Sequence, residues 1–188
     1  GRETFLMPVT WHDGRPRVTQ PGETVPWVAP RPKLPRSSAS VPTSGSFTVR
    51  DEFNRAALPP YWMMLRNPQG KWWRIAGGAL QLQPRAVAFG DYGNPPLLVR
   101  RQQHQHAQAT TKVSFSPASS AAEAGILALQ SDDFYYFLAV GQDHGKRVVR
   151  LRRRAGRQDP AAGAVIASAP LNAAGPVELR ISARGPHY

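Results

Sequence analysis

Neighbouring acidic residues are the first candidates for chemistry in this chain of 188 residues. Asp51 with Glu52 and Asp132 with Asp133 are its only adjacent carboxylates. Two carboxylates that face each other can act as the general acid and the general base of a glycosidase. Neighbouring residues on a strand point to opposite faces, however, so adjacency alone does not make such a pair. We therefore predict that both pairs are turn or surface acids and that the chain contains no catalytic residue.

The spacing of two histidines could serve a metal ion. His104 and His106 would lie on one face of a strand, where they could bind zinc if a third ligand came from elsewhere. The chain has no cysteine, and no third ligand is obvious. It also has no Gly-x-Ser-x-Gly elbow and no phosphate-binding loop. We expect neither a metal site nor a cofactor.

A net charge of +12 makes nucleic acid a candidate partner, because basic surfaces attract phosphate groups. The cationic residues cluster only between residues 146 and 157, where seven of them surround Val148, Val149 and Leu151. The same pattern is typical of a solvated hairpin strand, whose charges discourage pairing at a sheet edge. No nucleic-acid recognition motif accompanies the cluster, so we favour the solvated strand and predict no nucleic-acid partner.

Aromatic side chains are concentrated in the sequence from residue 47 onward. They include Tyr61, Trp62, Trp72, Trp73, Phe89, Tyr92 and the run from Phe134 to Phe137. Exposed rings can stack on the apolar face of a sugar, whereas buried rings fill a core. Alternate residues of 134–140 must face opposite sides of a strand, so one aromatic set lies on a surface. We favour contacts in the core or with another domain, and binding of sugar stays open.

These residues must be positioned by strands, because the sequence from residue 47 onward is typical of an all-β domain. Residues 109–115 and 177–182 place apolar and polar side chains in turn. Further strands are predicted at residues 79–83, 97–103, 124–130, 134–140, 147–153 and 164–169, with a turn at 131–133. Short strands at such spacing are typical of an all-β sandwich or barrel, and we expect little helix.

The first 46 residues differ in composition from the rest. Residues 4–11 form a strand-like run, and Asp13 with Gly14 is typical of a tight hairpin turn. Six prolines within residues 19–46 indicate an extended linker, in which Trp27 is expected to dock onto a domain. No apolar run is long enough to span a bilayer, so we predict no membrane partner. No signal peptide is evident, and the compartment, cytoplasmic or periplasmic, stays open.

A family resemblance covers nearly the whole chain. Residues 1–11, with Gly14 and Pro16, resemble the closing strand of the five-bladed propeller of glycoside hydrolase family 43. The branch concerned contains β-xylosidases and α-arabinofuranosidases, and the later residues are similar to its C-terminal concanavalin-like β-sandwich. Matching stretches are residues 50–53, Leu58, Trp62, residues 65–68, 80–82, 96–104, 123–126 and 136–138. Among them, Arg100-Arg101-Gln102-Gln103-His104 is a fairly specific match.

The resemblance implies an antiparallel jelly-roll sandwich at residues 47–188, preceded by a propeller strand at 1–18 and a linker at 19–46. Further sandwich strands are expected after Tyr188. It also implies an accessory role in a glycosidase that cleaves xylosyl or arabinosyl bonds, with the catalytic acids on the upstream propeller. Arg2 matches an arginine that contacts the sugar, and is therefore the expected substrate-binding residue.

The partners that the resemblance implies are the catalytic propeller of the same polypeptide and a xylo- or arabino-oligosaccharide. Whether the sandwich forms a homo-oligomer stays open. Residues 74–78 are shorter than the family's loops there, which leaves the substrate preference open. A freestanding sandwich that binds carbohydrate or protein is the alternative function.

Overall fold

The computed structural model describes residues 4–30, 32–35, 45–172 and 174–188. The chain divides into two compact units, Gly1–Val49 and Arg50–Tyr188. The described residues form strands, loops and one short 3-10 turn at Phe89–Asp91, with no α-helix among them. The predicted all-β class is confirmed. In the part of the chain that is described, no helix is long and apolar enough to cross a membrane.

One hairpin is the regular structure described in the first unit. Strand β1 (Thr10–His12) pairs antiparallel with β2 (Arg15–Arg17), and the turn consists of Asp13 and Gly14, both with positive φ. The Asp-Gly turn is thus confirmed, because this turn type needs two left-handed residues. The predicted strand at residues 4–11 is wrong in length: β2 supplies partners for three residues only, and a strand needs a partner.

The proline-rich segment carries no strand or helix among its described residues, as its composition predicts. Trp27 contacts Phe5 of the same unit edge to face, with ring centroids 6.1 Å apart, yet it remains 86% exposed. Arg2 lies outside the described residues. The domain boundaries predicted at residues 18 and 46 stay predictions.

The main sheet of the second unit has four antiparallel strands in the order β11-β10-β9-β8. Their bounds are Ala124–Ser131 for β8, Phe134–Asp143 for β9, Lys146–Ala155 for β10 and Ala164–Pro170 for β11. Two-residue turns join β8 to β9 and β9 to β10. The β9–β10 pair keeps its register up to the turn, whereas the β8–β9 pair shifts register between Leu129 and Ser131. Strands were predicted at the positions of all four, with slightly shorter bounds.

A second antiparallel ladder pairs β7 (His106–Val113) with β12 (Val177–Arg184), and β12 lies against β8 and β9. Leu179 and Ala183 are buried while the residues between them are more exposed, which confirms the predicted period of two. Beyond β12 the chain turns at Gly185, and His187 pairs with Arg184. The two layers form the predicted antiparallel β-sandwich.

Two short ladders complete the second unit. They pair β3 (Met63–Met64) with β6 (Leu98–Val99) and β4 (Trp73–Ala76) with β5 (Ala79–Leu82). The strand predicted at residues 97–103 is therefore wrong in length, since β3 offers only two partners. The apolar core contains Tyr135, Phe137 and Ala139 of β9, on which Phe89 packs.

Candidate functional site

Asp51 accepts three hydrogen bonds at the start of the sandwich unit. Its Oδ2 is 2.8 Å from both the Tyr61 hydroxyl and Trp62 Nε1, and its Oδ1 accepts the Phe53 amide at 2.9 Å. Burial works to raise the pKa of Asp51, but the hydrogen bonds from Trp62, Phe53 and Tyr61 outweigh it and lower that pKa. This carboxylate is thus partly buried and ionised, not the surface acid that the sequence predicts.

Asp132 and Asp133 occupy the β8–β9 turn, as predicted. Asp133 accepts the Tyr92 hydroxyl at 2.8 Å and Arg157 Nε at 3.1 Å, and Asp132 Oδ2 pairs with Arg66 Nη2 at 2.5 Å. The hydrogen bond from Tyr92 is the main cause that lowers the pKa of Asp133, and Arg157 adds to it. The turn acids therefore tie the turn to other loops.

Glu123 lies just before β8 and is held by two arginines of β10. Its Oε2 is 2.6 Å from Arg152 Nε, and its Oε1 is 3.1 Å from Arg150 Nη1. Arg150 also donates to the Gln142 carbonyl, and Arg152 donates to that of Gly163. The Glu123 side chain is only 9% exposed, so this cluster is a buried ion-pair network.

Arg154 continues the same row of arginines and is 6% exposed. Its Nη1 donates to the Gly90 and Asp132 carbonyls, and its Nη2 lies 3.3 Å from Asp133 Oδ1. The prediction of a solvated strand that discourages edge pairing is therefore wrong in part. Strand β10 is paired on both sides, and carboxylates and carbonyls satisfy three of its arginines internally.

The described acids of the chain all have polar partners close to them in the structure. Of the twelve acids, Glu3 lies outside the described residues, and each of the other eleven forms an ion pair or accepts a hydrogen bond from a neighbour. A general acid needs a raised pKa, whereas the pKa values of Asp51 and Asp133 are lowered. Their geometry indicates structural roles.

The two histidines do not share a strand. Strand β7 begins at His106, and His104 precedes it. The described ranges hold no group of three or more residues of the types His, Cys, Asp and Glu that could bind a metal ion. The spacing that suggested zinc is therefore not realised as one face of a strand.

The aromatic residues divide between the core and an open cleft. Tyr135 and Phe137 face inward, whereas Tyr136 lies on the opposite face of β9 and is half-buried. Trp62 and Trp73 line a cleft of about 500 Å³, together with Met64 and Pro60. A tryptophan-lined cleft can hold a sugar ring by stacking. Sequence alone indicated both uses of the rings but not which residue serves which.

Sequence reasoning missed the partners of Glu123. Glu123 stood out only as part of a family match, because its arginines follow 27 and 29 residues later. The one available signal was the spacing of Arg150, Arg152 and Arg154, which places all three on one face of a strand.

The antiparallel sheets place the chain in the class of concanavalin-like β-sandwich domains. A family model described as the β-xylosidase C-terminal concanavalin A-like domain matches residues 50–188. The chain belongs to this family, the C-terminal domain of glycoside hydrolase family 43 enzymes.

Several proteins similar to this chain bear the names of glycosidases. It is 34% identical to a non-reducing end α-L-arabinofuranosidase of Bacteroides ovatus, over 81% of this chain and 28% of that protein. It is 28% identical to a putative β-xylosidase of Escherichia coli, over 78% and 27% respectively. The solved structure of GH43B from the Bacteroides ovatus xyloglucan PUL matches with a TM-score of 0.68 and 31% identity, covering 98% of this chain and 35% of that one. The chain thus spans about 28% of the length of its curated relatives.

Proposed function

We propose that the chain is the accessory sandwich of a glycosidase that hydrolyses xylosyl or arabinosyl O-glycosidic bonds in carbohydrate metabolism. The family match over residues 50–188 carries this proposal. The sandwich shapes one side of the catalytic propeller's pocket and supports its assembly. The described acids form ion pairs or hydrogen bonds within the chain. This favours catalytic carboxylates that belong to the propeller.

Exposed apolar side chains in the first unit indicate that another part of the protein covers it. Leu6, Trp11, Trp27 and Val28 are exposed there, although large apolar side chains on a surface usually mark an interface. We propose that residues 1–18 close the propeller, that residues 19–46 link it to the sandwich, and that residues 47–188 form the sandwich. The propeller would bury the apolar side chains of the first unit.

Arg2 is proposed to contact the xylo- or arabino-oligosaccharide in the propeller's pocket. In a polypeptide that carries the propeller, we expect Arg2→Ala to lower kcat/KM by about 100-fold, as loss of a charged hydrogen bond to substrate does. Arg15→Ala, a surface change in the β1–β2 hairpin, is the matched control and should keep kcat/KM within about twofold. A hundredfold loss confined to Arg2 supports the role, and equal rates for both variants contradict it.

The sandwich is also proposed to support a homo-oligomeric assembly. Sedimentation of a propeller-containing polypeptide, with and without residues 50–188, tests this role. Loss of the oligomer together with the sandwich supports it. An unchanged oligomeric state would restrict the sandwich to the pocket.

A freestanding carbohydrate-binding sandwich is the second candidate, and the cleft with Trp62 and Trp73 favours it. Titration of the 188-residue chain with neutral xylo-oligosaccharides separates the two. Saturable binding that Trp73→Ala removes supports the second candidate. No binding at millimolar sugar leaves the accessory role as the function of the chain.

A further inference from the structure

Lys71 lies where two clefts of the sandwich unit meet. The larger cleft is the one that contains Trp62 and Trp73. The smaller has a volume of about 220 Å³, and its lining includes Trp72, Gln83 and Arg85. Lys71 lines both clefts, and the rings of Trp72 and Trp73 meet edge to face with centroids 5.0 Å apart. A ligand at Lys71 would therefore border both clefts.

The smaller cleft is rich in hydrogen-bond donors and carries uncompensated positive charge. Its lining combines the Lys71 ammonium and the Arg85 guanidinium with the amides of Gln69 and Gln83, and includes no acid. Arg85 donates to Asn94, which is neutral, and Lys71 forms no ion pair with any of the residues described. Two cations without a carboxylate favour a negatively charged ligand, and a planar carboxylate fits a guanidinium.

Trp72 forms the buried wall of the smaller cleft and is 3% exposed. Its indole Nε1 is buried and has no hydrogen-bond acceptor within the described ranges. Buried donors are satisfied in the great majority of folded proteins. This nitrogen is closed to solvent, so a ligand would bond to the polar side chains of the lining and not to the indole.

We propose that the two clefts bind a carboxylate-bearing sugar, such as an oligosaccharide with a uronic acid branch. Lys71 and Arg85 hold the carboxylate in the smaller cleft, and a neighbouring sugar ring stacks on Trp73 in the larger one. Only the stacking of the sugar ring rests on the second candidate function. The charge preference rests on the smaller cleft itself.

Calorimetric titration of the 188-residue chain tests the proposal. The probes are xylotriose that carries one glucuronic acid branch and neutral xylotriose. We expect the acidic probe to bind about fivefold more tightly at low ionic strength, with a preference that shrinks as salt is added. Equal affinities for the two probes would overturn the proposal.

Variants separate the cleft from the general charge of the chain. Lys71→Met should abolish the preference for the acidic probe, whereas Lys112→Met on the exposed face of β7 removes the same charge and should retain it. Equal losses in both variants would mean that the net charge of +12 attracts the probe nonspecifically, which contradicts the proposal. Lys71 is exposed, so its replacement should leave folding intact, and an unchanged thermal midpoint checks this.

The carboxylate could also come from an acidic peptide. N-acetylglutamate amide, a carboxylate without a sugar ring, should bind more weakly than the acidic trisaccharide, because it gives Trp73 nothing to stack on. If it binds as tightly, the sugar part of the proposal is wrong. Failure of any of these titrations would leave the proposed glycosidase function standing, because turnover is measured separately.

Discussion

Glu123 accepts hydrogen bonds from Arg152 with both of its carboxylate oxygens. Oε2 lies 2.6 Å from Nε, and Oε1 lies 3.1 Å from Nη2. The same Oε1 is shared with Arg150 at 3.1 Å. One acid outside the strands therefore fixes two arginines in the middle of the main sheet. A bidentate arrangement is the strongest geometry for such a pair.

Removing this acid should strongly destabilise the sandwich. Glu123→Gln leaves the Arg152 guanidinium without a counter-charge and Arg150 with only Asp143, and we expect the free energy of unfolding to fall by about 3 kcal/mol. Urea denaturation measures it. Glu178→Gln is the matched control, because its ion pair with Arg180 is exposed and should contribute less than about 1 kcal/mol. Equal shifts in the two variants would contradict the structural role of Glu123.

Gly125 of β8 should tolerate no side chain. A Cβ there would lie 2.0 Å from the Leu138 carbonyl oxygen, so the β8 and β9 backbones would have to separate. We expect Gly125→Ala to cost about 3 kcal/mol, measured by thermal or urea unfolding. Gly70→Ala is the control, since nothing lies within 4 Å of its Cβ position. Equal unfolding midpoints for both variants would contradict the close approach of β8 and β9 at Gly125.

Asp51 should make stability depend on pH in the acid range. Its folded-state pKa is below the ordinary value of 3.8, so its contribution is present above that pH and is lost as pH falls through the folded pKa. We expect Asp51→Asn to flatten the loss of stability below a pH of about 4. Urea midpoints between pH 3 and 6 measure this slope. Glu52→Gln, which removes an exposed ion pair with Arg50, should keep the slope of the parent chain.

Tyr135 should impose a second pH limit in the alkaline range. Burial raises its pKa to about 12, and its hydroxyl donates to the Ala161 carbonyl at 2.7 Å. Stability from this group is complete below the ordinary pKa of 10.0 and is lost as pH rises toward 12. We expect Tyr135→Phe to reduce the loss of stability at alkaline pH. Thermal midpoints between pH 9 and 12 measure this loss. Tyr188→Phe, at an exposed tyrosine, should leave the loss unchanged.

The strands could be predicted from the sequence because alternation is a local property. Residues 177–182 show which side chains of β12 are buried without any knowledge of its partner β7. Strand length was not predictable in the same way, since it depends on a partner elsewhere in the chain. The run at residues 4–11 is strand-like in composition, yet only Thr10–His12 forms a strand, paired with β2.

The roles of charged residues were harder to predict from the sequence than the strands. Charge alone predicts exposure, whereas Arg154 is buried because carbonyls and Asp133 surround its guanidinium. The same holds for Asp51, whose partners Tyr61 and Trp62 lie ten and eleven residues away. Such long-range pairings leave no period in the sequence, so only the folded structure reveals them.

Hydrolysis of nitrophenyl β-xyloside and nitrophenyl α-arabinofuranoside tests the accessory role of the chain most directly. The measurement compares the purified 188-residue chain with a polypeptide in which the catalytic propeller precedes it. We predict turnover by the longer polypeptide and none by the chain alone, because the acids described in the chain serve its fold. Turnover by the chain alone at the rate of the longer polypeptide would contradict that role.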